Sequence, residues 1–196
     1  MGIKILKPFA YYSARTLLLV GVFAYVLSSL IAYYSGYHFE GLISVKSGSN
    51  SSLLLSFYNN GISILLLTVC CYLFAKLRNS HSRIIDVLNV VLISRISIYI
   101  IMLMLTEPVF IKQTLIKVEL AILDNDFMLS SLTTLNKVAL MSLGVLSIFA
   151  LISFFYYLVS GVLFIINSKT KMDVFFVLLL IFGLEIVFVL FRINIS

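Results

Sequence analysis

Five stretches of this 196-residue chain are apolar over lengths that can cross a bilayer, and no other feature constrains its fold as tightly. They cover about 16–35, 53–75, 84–105, 138–166 and 174–191. A hydrocarbon core of about 30 Å takes roughly twenty helical residues at 1.5 Å each. Backbone N–H and C=O groups in hydrocarbon must bond within their own segment, so each run is predicted to be an α-helix. The expected fold is an all-α polytopic membrane helix bundle, a single membrane domain over 1–196 with five transmembrane helices. Composition points the same way. The chain is 62% hydrophobic and 11% charged, and so few charges cannot cover a water-facing surface.

Lys4 and Lys7 precede the first run as they would a signal sequence. The run is longer than a signal core of about 7–15 residues, however, and reads as the first span. The fourth run is about nine residues longer than a vertical crossing, so it is expected to tilt, to bend at Gly144 or Gly161, or to extend beyond the membrane.

Loop charge sets the expected orientation. Lys4, Lys7 and Arg15 precede the first span, Lys76, Arg78 and Arg83 join the second to the third, and Lys169 and Lys171 join the fourth to the fifth. The opposite side has longer segments that mix Lys46, Lys112, Lys117, Lys137 and Arg192 with Glu40, Glu107, Glu119, Asp124 and Asp126. Short basic loops stay in the cytoplasm, which predicts a cytoplasmic N-terminus and an external C-terminus. Within the longest loop, Thr106-Glu107-Pro108 reads as a helix start. An amphipathic helix over about 107–123 should follow, either on the outer membrane face or packed over the bundle, with Asp124-Asn125-Asp126 breaking it.

Two charges fall near the bilayer centre, Arg95 and Glu185. Each costs about 2.5–3.5 kcal/mol at mid-helix and needs a partner. Arg95 lies eleven residues after Ile84, and Glu185 lies eleven after Val174. Both helices start on the same side, so each charge is about 16 Å deep. Equal depth predicts an ion pair tying the third span to the fifth. The alternative turns Glu185 to Arg192 and leaves Arg95 to backbone carbonyls or the Tyr99 hydroxyl. Such a pair serves as structural glue or as part of a proton or ion relay, and a relay would lack a nearby His, Asp or second Glu.

Four further polar residues mark helix starts: Asp86, Asn89, Thr170 and Asp173. Thr170 and Asp173 have capping-box spacing, and Asp86 sits in a first turn where the helix dipole favours an anion. Each therefore has a structural explanation.

No catalytic, cofactor-binding or metal residues are expected. The chain has no H-E-x-x-H, G-x-S-x-G or phosphate-binding glycine loop. His38 and His81 are expected on opposite sides of the membrane, so they cannot share a metal. Cys70 and Cys71 adjoin within an apolar run and read as small filler. The net charge of +6 is scattered beside the spans, and nucleic acid would need a clustered basic stripe.

The third span runs Arg83-Ile84-Ile85-Asp86-Val87-Leu88-Asn89 and on through Ser94-Arg95-Ile96-Ser97-Ile98-Tyr99. With Phe39-Glu40-Gly41-Leu42-Ile43 after the first span and the final span carrying Glu185, this resembles bacterial members of the Yip family of five-span membrane proteins. The resemblance covers most of the chain and is anchored by Asp86, Asn89 and Arg95. It implies a non-enzymatic bundle with a cytoplasmic N-terminus and an external C-terminus. Eukaryotic relatives act in vesicle trafficking and engage lipidated small GTPases. This chain departs from them, with about fifteen residues before its first span and Ser97 where bacterial relatives often place proline, so the GTPase role is not carried over.

The expected function is that of a scaffold or accessory subunit of a membrane complex in a bacterial inner membrane. The alternative is a small transporter or channel component using Arg95 and Glu185. The lipid bilayer is the expected partner, with other membrane proteins or further copies of the chain left open. No enzyme activity, cofactor or nucleic-acid partner is expected.

Overall fold

A computed structural model describes residues 8–47, 52–106, 109–123, 132–168 and 170–191. Lys4, Lys7, Glu107, Pro108, the Asp124-Asn125-Asp126 break, Lys169 and Arg192 lie outside the described residues.

A short helix α1 (Pro8–Tyr11) leads into α2 (Ala14–Ser35). A small antiparallel hairpin follows, β1 (Tyr37–Phe39) paired with β2 (Val45–Ser47), with His38 opposite Lys46. Then come α3 (Leu53–Arg78), α4 (Ile84–Thr106), α5 (Val109–Leu123), α6 (Thr134–Ile166) and α7 (Lys171–Phe191). The five long helices are each apolar and long enough to cross a membrane. Among the described residues the regular structure is thus helical apart from one hairpin, which the apolar pattern does not announce. Its strands are three residues each, too short for alternation to register.

The helix ends have local causes. Ser13, Ser52 and Thr133 cap α2, α3 and α6, each side-chain oxygen accepting an otherwise unpaired first-turn N–H. Gly36 ends α2 in the left-handed region at φ 74°, where a residue without Cβ is unstrained. Asn167 does the same for α6 at φ 53°, and the Ser168 N–H returns to the Leu163 carbonyl at 3.1 Å.

α4 is the central helix, in its most extensive contacts with α2 on one side and α6 on the other. Val87, Val90, Val91, Ile98 and Met102 along it are buried. By contrast α6 and α7 expose most of their apolar surface, including Val145, Phe149, Ile152, Phe182 and Ile186. Exposed apolar side chains on long helices are lipid-facing surface, not a packing failure. Two glycines let the helices approach. A Cβ at Gly21 of α2 would lie 2.6 Å from the Leu92 Cβ of α4, and one at Gly161 of α6 would meet Val90 Cγ1 at 2.6 Å and Phe9 Cε2 at 2.8 Å. Gly144 has open space around it.

The fourth span is one unbroken helix of 33 residues, about 50 Å long. Its first turn is tied to α5, where the Thr114 hydroxyl donates to Asn136 Oδ1 at 3.3 Å. On α5 itself, Thr114 and Ala121 are buried, while Ile116, Leu120 and Leu123 form an exposed apolar stripe.

The α2–α4 crossing generates a prediction. Gly21→Leu should destabilise the bundle by about 1–3 kcal/mol through overpacking against a Cβ that cannot swing away. Gly144→Leu gains the same helix propensity without the clash. Thermal unfolding of both variants in one detergent should therefore show a lower midpoint only for Gly21→Leu, and equal midpoints would deny the close crossing.

Candidate functional site

The hairpin tip dips between the helices and meets a buried polar cluster. Ser63, ten residues into α3, bonds the tip, so the tip reaches about 15 Å below the hairpin-side helix end. Leu42, Gly41 and Phe39 are buried there. Irregular backbone at such depth is tolerated only where it is buried in protein or lines a water-filled cavity, and here protein supplies the partners.

Those partners come from three helices. From α4, Arg95 is fully buried, and its Nη1 donates to the Leu42 carbonyl at 3.1 Å. From α7, Glu185 Oε2 accepts from the Leu42 N–H at 2.7 Å, and Oε1 accepts from the Ser44 hydroxyl at 2.9 Å. From α3, the Ser63 hydroxyl reaches the Gly41 carbonyl at 3.0 Å. The tip closes on itself as the Glu40 N–H donates to the Ser44 carbonyl at 3.1 Å. A Cβ at Gly41 would lie 2.7 and 2.8 Å from the two Glu185 oxygens, so this position needs glycine for close approach.

Asn60 joins the cluster to α2. Its Oδ1 accepts from Arg95 Nη2 at 3.2 Å and from the Tyr99 hydroxyl at 3.1 Å. Arginine can only donate, which fixes the amide orientation. The Asn60 Nδ2 then faces the Ser28 and Ser29 hydroxyl oxygens, both at 3.0 Å, and those hydroxyls donate to the Tyr25 carbonyl. The Arg95 guanidinium also lies 5.3 Å from the Phe39 ring centroid and 5.7 Å from that of Tyr99, a cation–π environment that offsets part of its desolvation.

The direct Arg95–Glu185 ion pair expected from equal depth is corrected here. Ion pairs among the described residues are Lys46–Glu40 and Arg78–Asp173. Arg95 and Glu185 instead take opposite poles of the backbone at Leu42, the carbonyl and the N–H. The two side chains do reach the same level, since both bind Leu42, but the hairpin backbone takes the place of a direct pair. The expected alternative partner of Glu185, Arg192, is outside the described residues. Tyr99 shares the acceptor Asn60 with Arg95, and a carbonyl, that of Leu42, does bind the arginine.

The helix-start residues gather at the other end of the bundle. The Asn89 amide nitrogen donates to the Ala14 carbonyl at 3.0 Å, joining α4 to α2. Asp86 stands in the first turn of α4 with its N–H on the Arg83 carbonyl. Thr170 precedes α7, and its Oγ1 both accepts from the Asp173 N–H at 3.4 Å and donates to Asp173 Oδ2 at 2.7 Å. Asp173 does more than cap, since Oδ1 pairs with Arg78 Nη2 at 2.9 Å and so ties α7 to α3. His38 is buried in the hairpin and His81 is exposed in the α3–α4 connection, at opposite ends. Burial lowers the His38 pKa, Glu40 opposes this with a smaller raising effect, and Lys46 adds to the lowering.

Asn60, Ser63, Tyr25 and the Ser28-Ser29 pair have no role in the sequence reading, and Gly41 enters it only within the Phe39–Ile43 segment of the resemblance. The available signal was Asn59-Asn60, two amides inside a long apolar run. Compared with protein-family models, curated proteins and solved structures, the chain matches none.

The opposite backbone poles at Leu42 make a charge-reversal test decisive. In Arg95→Glu with Glu185→Arg, a carboxylate would face the Leu42 carbonyl and a guanidinium its N–H. The double variant should therefore yield no more folded protein, by monodisperse elution in detergent, than either single variant. Recovery would indicate a direct pair. Asn60→Leu, which strips the acceptor from Arg95 and Tyr99, should lose about 1–3 kcal/mol. Thr68→Val, removing a buried hydroxyl without a partner, should raise thermal stability by about 1–3 kcal/mol, the cost of leaving such a group unpaired.

Proposed function

We propose that this chain is a non-enzymatic integral membrane protein, a scaffold or accessory subunit of a membrane complex in a bacterial inner membrane. On this reading it is a Yip-like five-span bundle with its N-terminus in the cytoplasm and its C-terminus outside. The observation that carries the reading is the engagement of both mid-membrane charges in holding the hairpin. Both Glu185 oxygens and both terminal Arg95 nitrogens are bound to the tip or to Asn60. A carrier group must exchange partners as its cargo passes, whereas these groups fix a loop in place. What the bundle then presents at this end is the held hairpin and, at the same end of the bundle, α5 with its exposed Ile116, Leu120 and Leu123. That surface suits a lasting contact with another membrane protein.

Orientation is tested by single cysteines at Lys46 and Ser80 in a variant lacking Cys70 and Cys71. A membrane-impermeant maleimide added to intact cells should label position 46 and spare position 80, and the reverse would overturn the proposed topology. A photo-crosslinker at Lys46 or Lys117 should capture one and the same membrane protein, and that protein should co-elute with the chain in mild detergent. Solute or ion flux in liposomes holding the chain alone, abolished by Glu185→Gln, would overturn the scaffold reading in favour of transport.

A further inference from the structure

The outward face of α4 carries a groove whose polarity changes along its length. Its floor is a stripe comprising Asp86, Asn89, Ile93, Ile96 and Ile100, with Ser82 just before the helix start. Steps of three and four residues keep such a set on one helix face. α2 and α6 supply the walls. At the α4 start, a cavity of about 290 Å³ is bordered by Tyr12, His81, Asp86 and Asn89. Further along, a hollow of about 550 Å³ is bordered by Val20, Ile93, Ile96, Ile100 and Phe149. Tyr12 and Leu17 border both, so the two adjoin. From Asp86 to Ile100 the stripe spans about 21 Å, comparable with one leaflet and its headgroups at about 20–22 Å.

The polar end has an unfilled requirement. Asn89 is 2% exposed and lines the smaller cavity. Its amide nitrogen is held by the Ala14 carbonyl, which fixes the orientation of the group, and its Oδ1 has no donor. Leaving a buried acceptor unpaired costs about 1–3 kcal/mol. One turn earlier, Asp86 places a carboxylate on the same cavity wall. A carboxylate beside an unpaired carbonyl oxygen suits a cationic hydrogen-bond donor. A primary ammonium brings three N–H donors, whereas a quaternary ammonium brings none. The Tyr12 hydroxyl and the His81 imidazole, on the same cavity, can donate to an adjoining phosphate.

We propose that this groove seats one phospholipid with a primary-ammonium headgroup, from the leaflet at the α4 start. The ammonium meets Asp86 and Asn89 Oδ1, the phosphate meets Tyr12 and His81, and one acyl chain lies along Ile93, Ile96 and Ile100. The site is remote from the hairpin and does not depend on the scaffold reading.

The test uses the full-length protein in detergent, with binding of phosphatidylethanolamine, phosphatidylcholine and phosphatidylglycerol of identical chains read by native mass spectrometry. The ethanolamine lipid should bind about tenfold more tightly than the choline lipid, the loss expected when charge-assisted hydrogen bonds are withheld. Asp86→Asn should erase most of that preference, and Asp86→Glu should restore part of it. Ser97→Phe, intruding on the larger hollow, should weaken all three lipids. Soluble glycerophosphoethanolamine should fail to compete, because it lacks the chain. Equal binding of the ethanolamine and choline lipids by the unaltered protein would overturn the proposal, whatever the variants do. So would full competition by the soluble headgroup, or a preference that survives Asp86→Asn.

Discussion

The two peptide groups flanking Leu42 sit within the helix bundle, where no water replaces a missing hydrogen bond, and the rest of the hairpin end is arranged around them. Each needs a partner of defined sign. Arg95 donates to the carbonyl and Glu185 accepts from the N–H. A chain that is only 11% charged thus places one charge of each sign deep in its spans. The arrangement differs from a buried ion pair, where desolvation of two charges is set against their mutual attraction alone. Here each charge also satisfies backbone that would otherwise be unpaired in a low dielectric, which costs several kcal/mol per group in hydrocarbon.

From that constraint follow the residues around it. Gly41 has no Cβ because the Glu185 carboxylate occupies the space. Asn60 accepts from Arg95 with one end and faces two serine hydroxyls with the other, so a single amide connects α2, α3 and α4. The opposite end of the bundle is held differently, by shorter-range contacts between helix termini. There Asn89 joins α4 to α2, and Arg78 with Asp173 joins α3 to α7. Between these polar ends the middle of the bundle rests on the close approach of α2 and α6 to α4, permitted by Gly21 and Gly161.

This division bears on function. The hairpin end is held by a network in which both terminal Arg95 nitrogens and both Glu185 oxygens are bound, with Arg95 Nε alone of these without a partner, which favours presentation of a fixed surface. The α4 start retains an acceptor without a donor beside an open cavity. The two ends therefore serve different contacts in the proposed picture, protein at one and lipid at the other.

Much of the fold was legible from the sequence. Hydrophobic length alone marks the five long helices, since hydrocarbon forces the backbone of any such run to bond internally. Their ends were read less well. α3 runs on to Arg78, α6 starts at Thr134 and α7 at Lys171, because polar residues at the interface remain helical where the apolar run has stopped. The Arg95 and Glu185 positions stood out, as a charge in an apolar run must, but not what they bind. Their partner is backbone, which has no identity in the sequence. Nor could hydropathy rank the spans by burial. In lipid an outward-facing side chain and an inward-facing one are both apolar, so only the tertiary structure made α4 the centre and α6 and α7 the rim. For the same reason the hairpin's descent, the need for glycine at 41 and the hub at Asn60 belong to the three-dimensional arrangement, which alone brings residues far apart in the chain within hydrogen-bonding reach.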